Sequence, residues 1–185
     1  MNQTEQKKAA ILQTTFQLLN EKEIKDITVD EIAQKASVSK VTLFKYFQNK
    51  NHLMNLVILK AFEHMTSDIE QIIKSELDFD ATYQAINKMK LAQLQRYSKI
   101  FSNNLMTQYA ESPDFYDQDT LSLQAQVYQD LFEKGQKEGK ISLDFSHQDF
   151  MFIISLFNEG MKAFNADVLF SQSNLISRFF INGLK

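Results

Sequence analysis

The stretch Thr28–Lys50, TVDEIAQKASVSKVTLFKYFQNK, decides how the rest of the chain is read. Thr28 is suited to cap a helix N-terminus, and Glu31 three residues later completes a capping-box pattern. Val29, Ile32, Ala33 and Ala36 then recur at helical spacing on one face. Ala36-Ser37-Val38 interrupts that spacing, and Ser39 is a second N-cap candidate. Lys40 to Phe47 follows as a second short helix, with a third starting directly after it. At about 100° per residue, Leu43 and Phe47 share the inner side of the second helix, whereas Val41, Thr42, Phe44 and Lys45 point outward or sideways. Such a set makes a poor solvent face. It suits the major groove of double-stranded DNA, where apolar groups meet thymine methyls and Thr or Lys reaches base edges.

Charge supports this reading. Between Ile32 and Phe62 there is no Asp or Glu, while Lys35, Lys40, Lys45, Lys50 and Lys60 all fall there. Lys40 and Lys50 lie in the first turns of their helices, where the macrodipole disfavours a cation and a DNA phosphate would remove the misfit. A solvated basic face would explain the lysines, but not the capped turn and the outward aromatic.

The same residues carry a family resemblance. The pattern T-x-x-x-I-A through V-S-x-x-T-L-[FY]-x-Y-F, from Thr28 to Phe47, followed by Lys50, resembles the helix-turn-helix of the tetracycline-repressor (TetR) family of bacterial transcriptional regulators. The resemblance implies an all-α protein of about nine helices, with a DNA-binding head at residues 1–50 (helix-turn-helix 28–47) and a ligand-binding and dimerisation body at 51–185. It implies phosphate contacts from Thr28, Ser39, Lys45, Tyr46 and Lys50. Lys40, Val41, Thr42 and Phe44 are the candidates for groove or base contact. Two departures fall inside the motif: Ser37 stands where the family commonly has Gly, and must tolerate a left-handed backbone at about 1 kcal/mol. Val41 stands where Gly is also frequent. A Gly usual near residues 21–23 is missing, so the first helix is expected to end differently.

Composition agrees with an all-helical protein, since one Pro and four Gly in 185 residues leave few breaks. No apolar run approaches a membrane span, the N-terminus MNQTEQKK lacks an apolar signal region, and without Cys a reducing cytoplasm fits. The net charge of −3 hides an asymmetry: residues 1–50 carry eight Lys against six acids, the remainder twelve basic against seventeen acidic groups. A small DNA-facing head on a body without nucleic-acid contacts would produce that split.

The first helix is expected from about Thr4 to Glu21, with Ile11, Leu12, Thr15, Phe16 and Leu19 as its stripe and Ile24 and Ile27 closing a small core. A fourth helix starts near Asn49, and residues 65–75 either continue it or start afresh. Asp80 is a plausible cap for a helix at FDAT (79–82). The sole proline, Pro113, bounds a helix carrying Ile100, Phe101, Leu105, Met106 and Tyr109. A long helix through Val127, Leu131 and Phe132 ends at GQKEGKI (135–141), with Gly139 a natural left-handed stop. That G-x-x-x-G-x-I ending also resembles the family.

The last two helices are apolar on two sides: Phe150, Ile153, Ile154, Phe157, Met161 and Phe164 form one stripe, Phe152, Leu156 and Ala163 another, followed by Leu175, Ile176, Phe179, Phe180 and Leu184. Either these helices are buried inside a monomer, or a second copy covers them across a two-fold axis, as a palindromic DNA site would favour.

No enzymatic motif is present. His52, His64 and His147 form no H-x-x-x-H pair, Asp117 and Asp119 lie in a polar connector, and neither a metal nor a cofactor is implied. Tyr97, Phe101, Met106, Tyr109, Tyr128, Phe132, Phe157 and Met161 either pack the core or line a cavity for an apolar or aromatic effector. The sequence thus reads as a ligand-responsive repressor binding a palindromic operator as a homodimer. The alternative is a DNA-binding scaffold regulated by a protein partner.

Overall fold

A computed structural model describes residues 2–112, 114–116 and 118–184, with the Asp119 side chain left aside. The boundary expected at Pro113 and the connector acids Asp117 and Asp119 lie outside what is described. Among the described residues there are ten α-helices, one 3-10 turn and no strand. The expected all-α fold is present, and residues 65–75 settle as a separate start after the chain breaks at Phe62–His64.

The chain divides into two compact units, which is a division by packing rather than by role. The first comprises Met1–Phe62 and Gln95–Tyr116. It contains α1 (Gln3–Glu21), the 3-10 turn Ile24–Asp26, α2 (Val29–Lys35), α3 (Lys40–Phe47), α4 (Lys50–Ala61) and α7 (Lys99–Glu111). α1 starts in a full capping box, in which Asn2 and Glu5 exchange side chain–backbone bonds of 2.9 Å. Its stripe is buried as expected at Ile11, Thr15 and Leu19, and Leu18 joins them. Ile27, Ile32, Leu43, Leu53 and Ile58 complete a core with no exposed surface of their own. Phe16, Phe62, Tyr97 and Phe101 close it with ring contacts of 4.7–6.4 Å.

The second unit, Glu63–Leu94 and Asp117–Lys185, holds α5 (Met65–Ile73), α6 (Phe79–Leu94), α8 (Gln118–Lys137), α9 (His147–Met161) and α10 (Ala166–Gly183). Phe79, Phe150, Ile141 and Leu184 lie at its centre, and Tyr83 stacks on Phe180 at 5.1 Å. The cap of α6 is Asp78, whose Oδ1 accepts from the Ala81 N–H at 2.8 Å, rather than Asp80. Asp80 instead ion-pairs with Lys140 at 2.6 Å, so one carboxylate closes the helix while the other ties it to the loop after α8.

The G-x-x-x-G-x-I ending has a separate physical reason at each glycine. Gly139 adopts φ +68°, its N–H donates to the Gln136 carbonyl and the Lys140 N–H to that of Gly135, which is a Schellman stop. Gly135 is needed for space. A Cβ there would lie 2.6 Å from Ile141 Cδ1 and 2.9 Å from the Phe79 ring.

Candidate nucleic-acid interface

The turn between α2 and α3 follows from its local sequence. Thr28 Oγ1 accepts from the Glu31 N–H at 3.1 Å, but the reciprocal half of the expected capping box is replaced. The Glu31 carboxylate reaches the Lys22 ammonium at 2.8 Å and Lys35 at 3.4 Å. The bond from Lys22 foremost, with Lys35 assisting, holds the Glu31 carboxyl below its ordinary pKa despite some desolvation. An ammonium is a stronger partner than a backbone N–H, which accounts for the change.

After α2 the Ser37 N–H donates to Gln34 and the Val38 N–H to Ala33, with Ser37 at φ +53°. This is again a Schellman stop, with Ser in the left-handed position as the sequence requires. Ser39 caps α3: its Oγ accepts from the Thr42 N–H at 3.1 Å and lies 2.9 Å from the Thr42 hydroxyl. Leu43 and Phe47 turn inward and are buried, whereas Val41 is 78% and Phe44 42% exposed. An outward apolar pair is left for a partner to cover. α3 then stops at Gln48, with φ +59°, and Asn49 caps α4 through the His52 N–H at 2.8 Å. Nothing in the sequence marks Gln48 for a positive φ.

The basic residues divide into two groups. Lys45 is exposed on α3, beside half-buried Tyr46, over whose ring the Lys8 ammonium lies at 5.4 Å. Lys40 pairs with exposed Asp30 at 2.5 Å, so its unfavourable place in the first turn is relieved inside the protein. A solvent-exposed pair of this kind is weak and can be exchanged for a phosphate. Lys50 differs from both. Its ammonium donates to the Ile24 carbonyl at 2.8 Å, is half-buried, and burial lowers its pKa against the opposing attraction of Asp26. Asp30 and Lys8 entered the site unforeseen, because each comes from a helix other than the one it meets.

The eight aromatic and Met candidates for an effector cavity are distributed over both units. Tyr97, Phe101, Met106 and Tyr109 belong to the first, where Phe101 is fully buried, Tyr97 donates to the Ala61 carbonyl at 2.8 Å and Tyr109 meets Phe115 edge-on. In the second, Phe132 packs against Phe150, and burial raises the Tyr128 phenol above its ordinary pKa. Phe157 and Met161 meet in an open apolar groove of about 430 Å³ between α9 and α10, with Leu156, Phe164, Val168 and Ile176. No group of three or more His, Cys, Asp or Glu suited to a metal occurs among the described residues, nor is any described helix long and apolar enough to cross a membrane.

Residues 11–57 match the profile of the bacterial regulatory proteins of the tetR family. No curated protein matches the sequence. Solved structures match along nearly the whole chain. The transcriptional regulator FadR from Bacillus subtilis, in complex with stearoyl-CoA, is 14% identical with a TM-score of 0.69, covering 96% of this chain and 99% of its own. The fatty acid degradation regulator FadR from Bacillus halodurans is 15% identical with a TM-score of 0.66 over 96% and 99%. The regulatory protein TetR from Rhodobacter sphaeroides is 20% identical with a TM-score of 0.57 over 92% and 96%.

Proposed function

We propose that this chain, whose head belongs to the tetR family of bacterial regulatory proteins and whose fold is that of solved family members, is a ligand-responsive repressor acting as a homodimer on a palindromic operator. The observation that carries the reading is the outward face of α3, where Val41 and Phe44 are exposed while Leu43 and Phe47 anchor the helix. Val41, Thr42, Phe44 and Lys40 are assigned to the groove, and Thr28, Ser39, Lys45 and Tyr46 to the phosphates on either side. In this reading residues 1–50 read DNA and 51–185 receive the effector and the second copy.

The homodimer is supported by α9 and α10, where Phe152, Leu156, Val168, Leu175 and Phe179 are exposed together. Several large apolar side chains exposed together on neighbouring helices suit an interface. An effector with a long apolar chain suits the aromatic and Met-rich second unit, and the stearoyl-CoA complex of the Bacillus subtilis regulator is the precedent for that chemistry. Its binding would favour a conformer in which two readers no longer match major grooves about 34–36 Å apart. The exposed α9–α10 face equally supports regulation by a protein partner.

The test is selection of DNA sequences by the purified protein at physiological salt, with its mass in solution measured alongside. A palindromic consensus bound by a protein of twice the chain mass is expected. No enrichment over random DNA would remove the regulator reading, and a monomer in solution would favour the protein partner.

A further inference from the structure

α1 ends without a left-handed residue: Lys22 leaves it extended, at φ −148° and ψ +161°, and the last carbonyls of the helix need other partners. One side chain from α7 meets two of the carbonyls there. Asn104, only 2% exposed, donates from Nδ2 to the carbonyls of Leu19 and Lys22, each at 2.9 Å. Its Oδ1 accepts from the Ile24 N–H at 2.8 Å. From α4, Lys50 donates to the carbonyl of the same Ile24 at 2.8 Å. Both backbone polar groups of Ile24 are thereby held, one by α7 and one by the first residue of α4. Ile24 lies four residues before the Thr28 cap of the reader.

α7 is fastened to this unit at two further places. Ser98, its cap, donates to the Asn20 carbonyl at 2.9 Å. Gln108 donates to Asn55 Oδ1 at 2.7 Å and to Asn51 Oδ1, and both asparagines donate to Ser112 Oγ at 2.8–2.9 Å. Buried amides of this kind admit few alternative arrangements, because a shifted partner leaves a donor or acceptor unmet.

We propose that Asn104 and Lys50 are positioning residues of the DNA reader: they hold Ile24 from two sides, four residues before the cap of α2. The inference rests on the DNA-reading function proposed above and moves Lys50 from phosphate contact to support. A half-buried ammonium bonded to a backbone carbonyl is not the free cation a phosphate needs.

The near-isosteric variants Asn104→Leu and Lys50→Met test this, using a duplex recovered by selection and an unselected duplex, over a range of salt. Folding of each variant is checked by helical circular dichroism and its unfolding midpoint. Both folded variants should bind the selected duplex about tenfold more weakly. Lys50→Met should keep the salt slope of the unaltered protein, whereas a lost phosphate contact would flatten it by about 0.9. Asn104 has almost no surface to offer DNA, so a purely structural role would lower the unfolding midpoint and leave the affinity of the folded protein unchanged. Unchanged affinity in folded Asn104→Leu, or a flattened slope in Lys50→Met, overturns the inference. Should Asn104→Leu not fold, Asn104→Asp, which keeps only the acceptor for Ile24, is judged by the same affinity criterion. Failure of the unaltered protein to bind either duplex would remove the regulator reading itself, and the inference with it.

Discussion

The two units treat their apolar surface differently. In the first, Ile11, Leu18, Ile32, Leu43 and Leu53 are fully buried, and its two most exposed large apolar residues, Val41 and Phe44, sit on the one helix assigned to DNA, with Leu56 and Ile100 exposed to a lesser extent elsewhere. In the second, Phe152 and Phe179 remain 64% and 69% exposed beside an open groove. The first unit completes its core and leaves a small face for a polar, charged partner. The second leaves a face that only another apolar surface would satisfy. Exposed apolar groups thus carry two meanings here, set by whether basic residues or more apolar ones surround them.

Breaking the second face should have the largest effect. Each Phe contributes about 1.5–3 kcal/mol when fully buried, so Phe152→Asp combined with Phe179→Asp should weaken self-association at least ~100-fold. Solution mass against concentration measures this, and an unchanged mass would place any homodimer seam elsewhere. The internal packing of that unit comes next. Gly135→Ala forces a Cβ toward Ile141 and Phe79 and should cost about 1–3 kcal/mol, more than the roughly 1 kcal/mol expected for Gly139→Ala, where only the left-handed backbone objects. Urea midpoints rank the two, and the reverse order would mean that backbone conformation, not space, fixes the ending.

In the first unit Ser37→Gly relieves a left-handed serine and should stabilise by less than about 1 kcal/mol without altering DNA affinity. A changed affinity would show that the Ser37 side chain takes part in reading. The smallest effect concerns half-buried Lys90 on α6, whose pKa burial lowers from the ordinary 10.5. The unfolded chain holds that proton up to about 10.5 while the folded state has already released it, so stability should rise as pH climbs toward that value. Lys90→Met should remove its share of the rise in unfolding midpoint between neutral and alkaline pH, and an undiminished rise would assign it to other groups such as Lys50.

Much of the reader was legible in the sequence because its geometry is local. The Thr28 and Ser39 caps, the left-handed Ser37 and the inward Leu43 and Phe47 each depend on neighbours within four or five residues. The same holds for Gly139. The Asp80 cap failed by two positions because Asp78 offers the same carboxylate two residues earlier, and only Lys140 distinguishes their uses. Glu31 follows the same logic, its expected local bond giving way to Lys22 nine residues away.

The sequence by itself determined an all-helical chain, the helix-turn-helix and the outward face of its second helix, since helical periodicity, capping and charge are written over short separations. Tertiary structure decided how each lysine is engaged, which side chains meet the last carbonyls of α1, why Gly135 must be small, and that the candidate effector residues fall into separate units. Such outcomes depend on contacts like the one in which the Ile24 backbone N–H donates to Asn104 Oδ1, eighty residues away, at 2.8 Å. No periodicity records such a meeting, because a buried hydrogen bond constrains distance in space and leaves separation along the chain free.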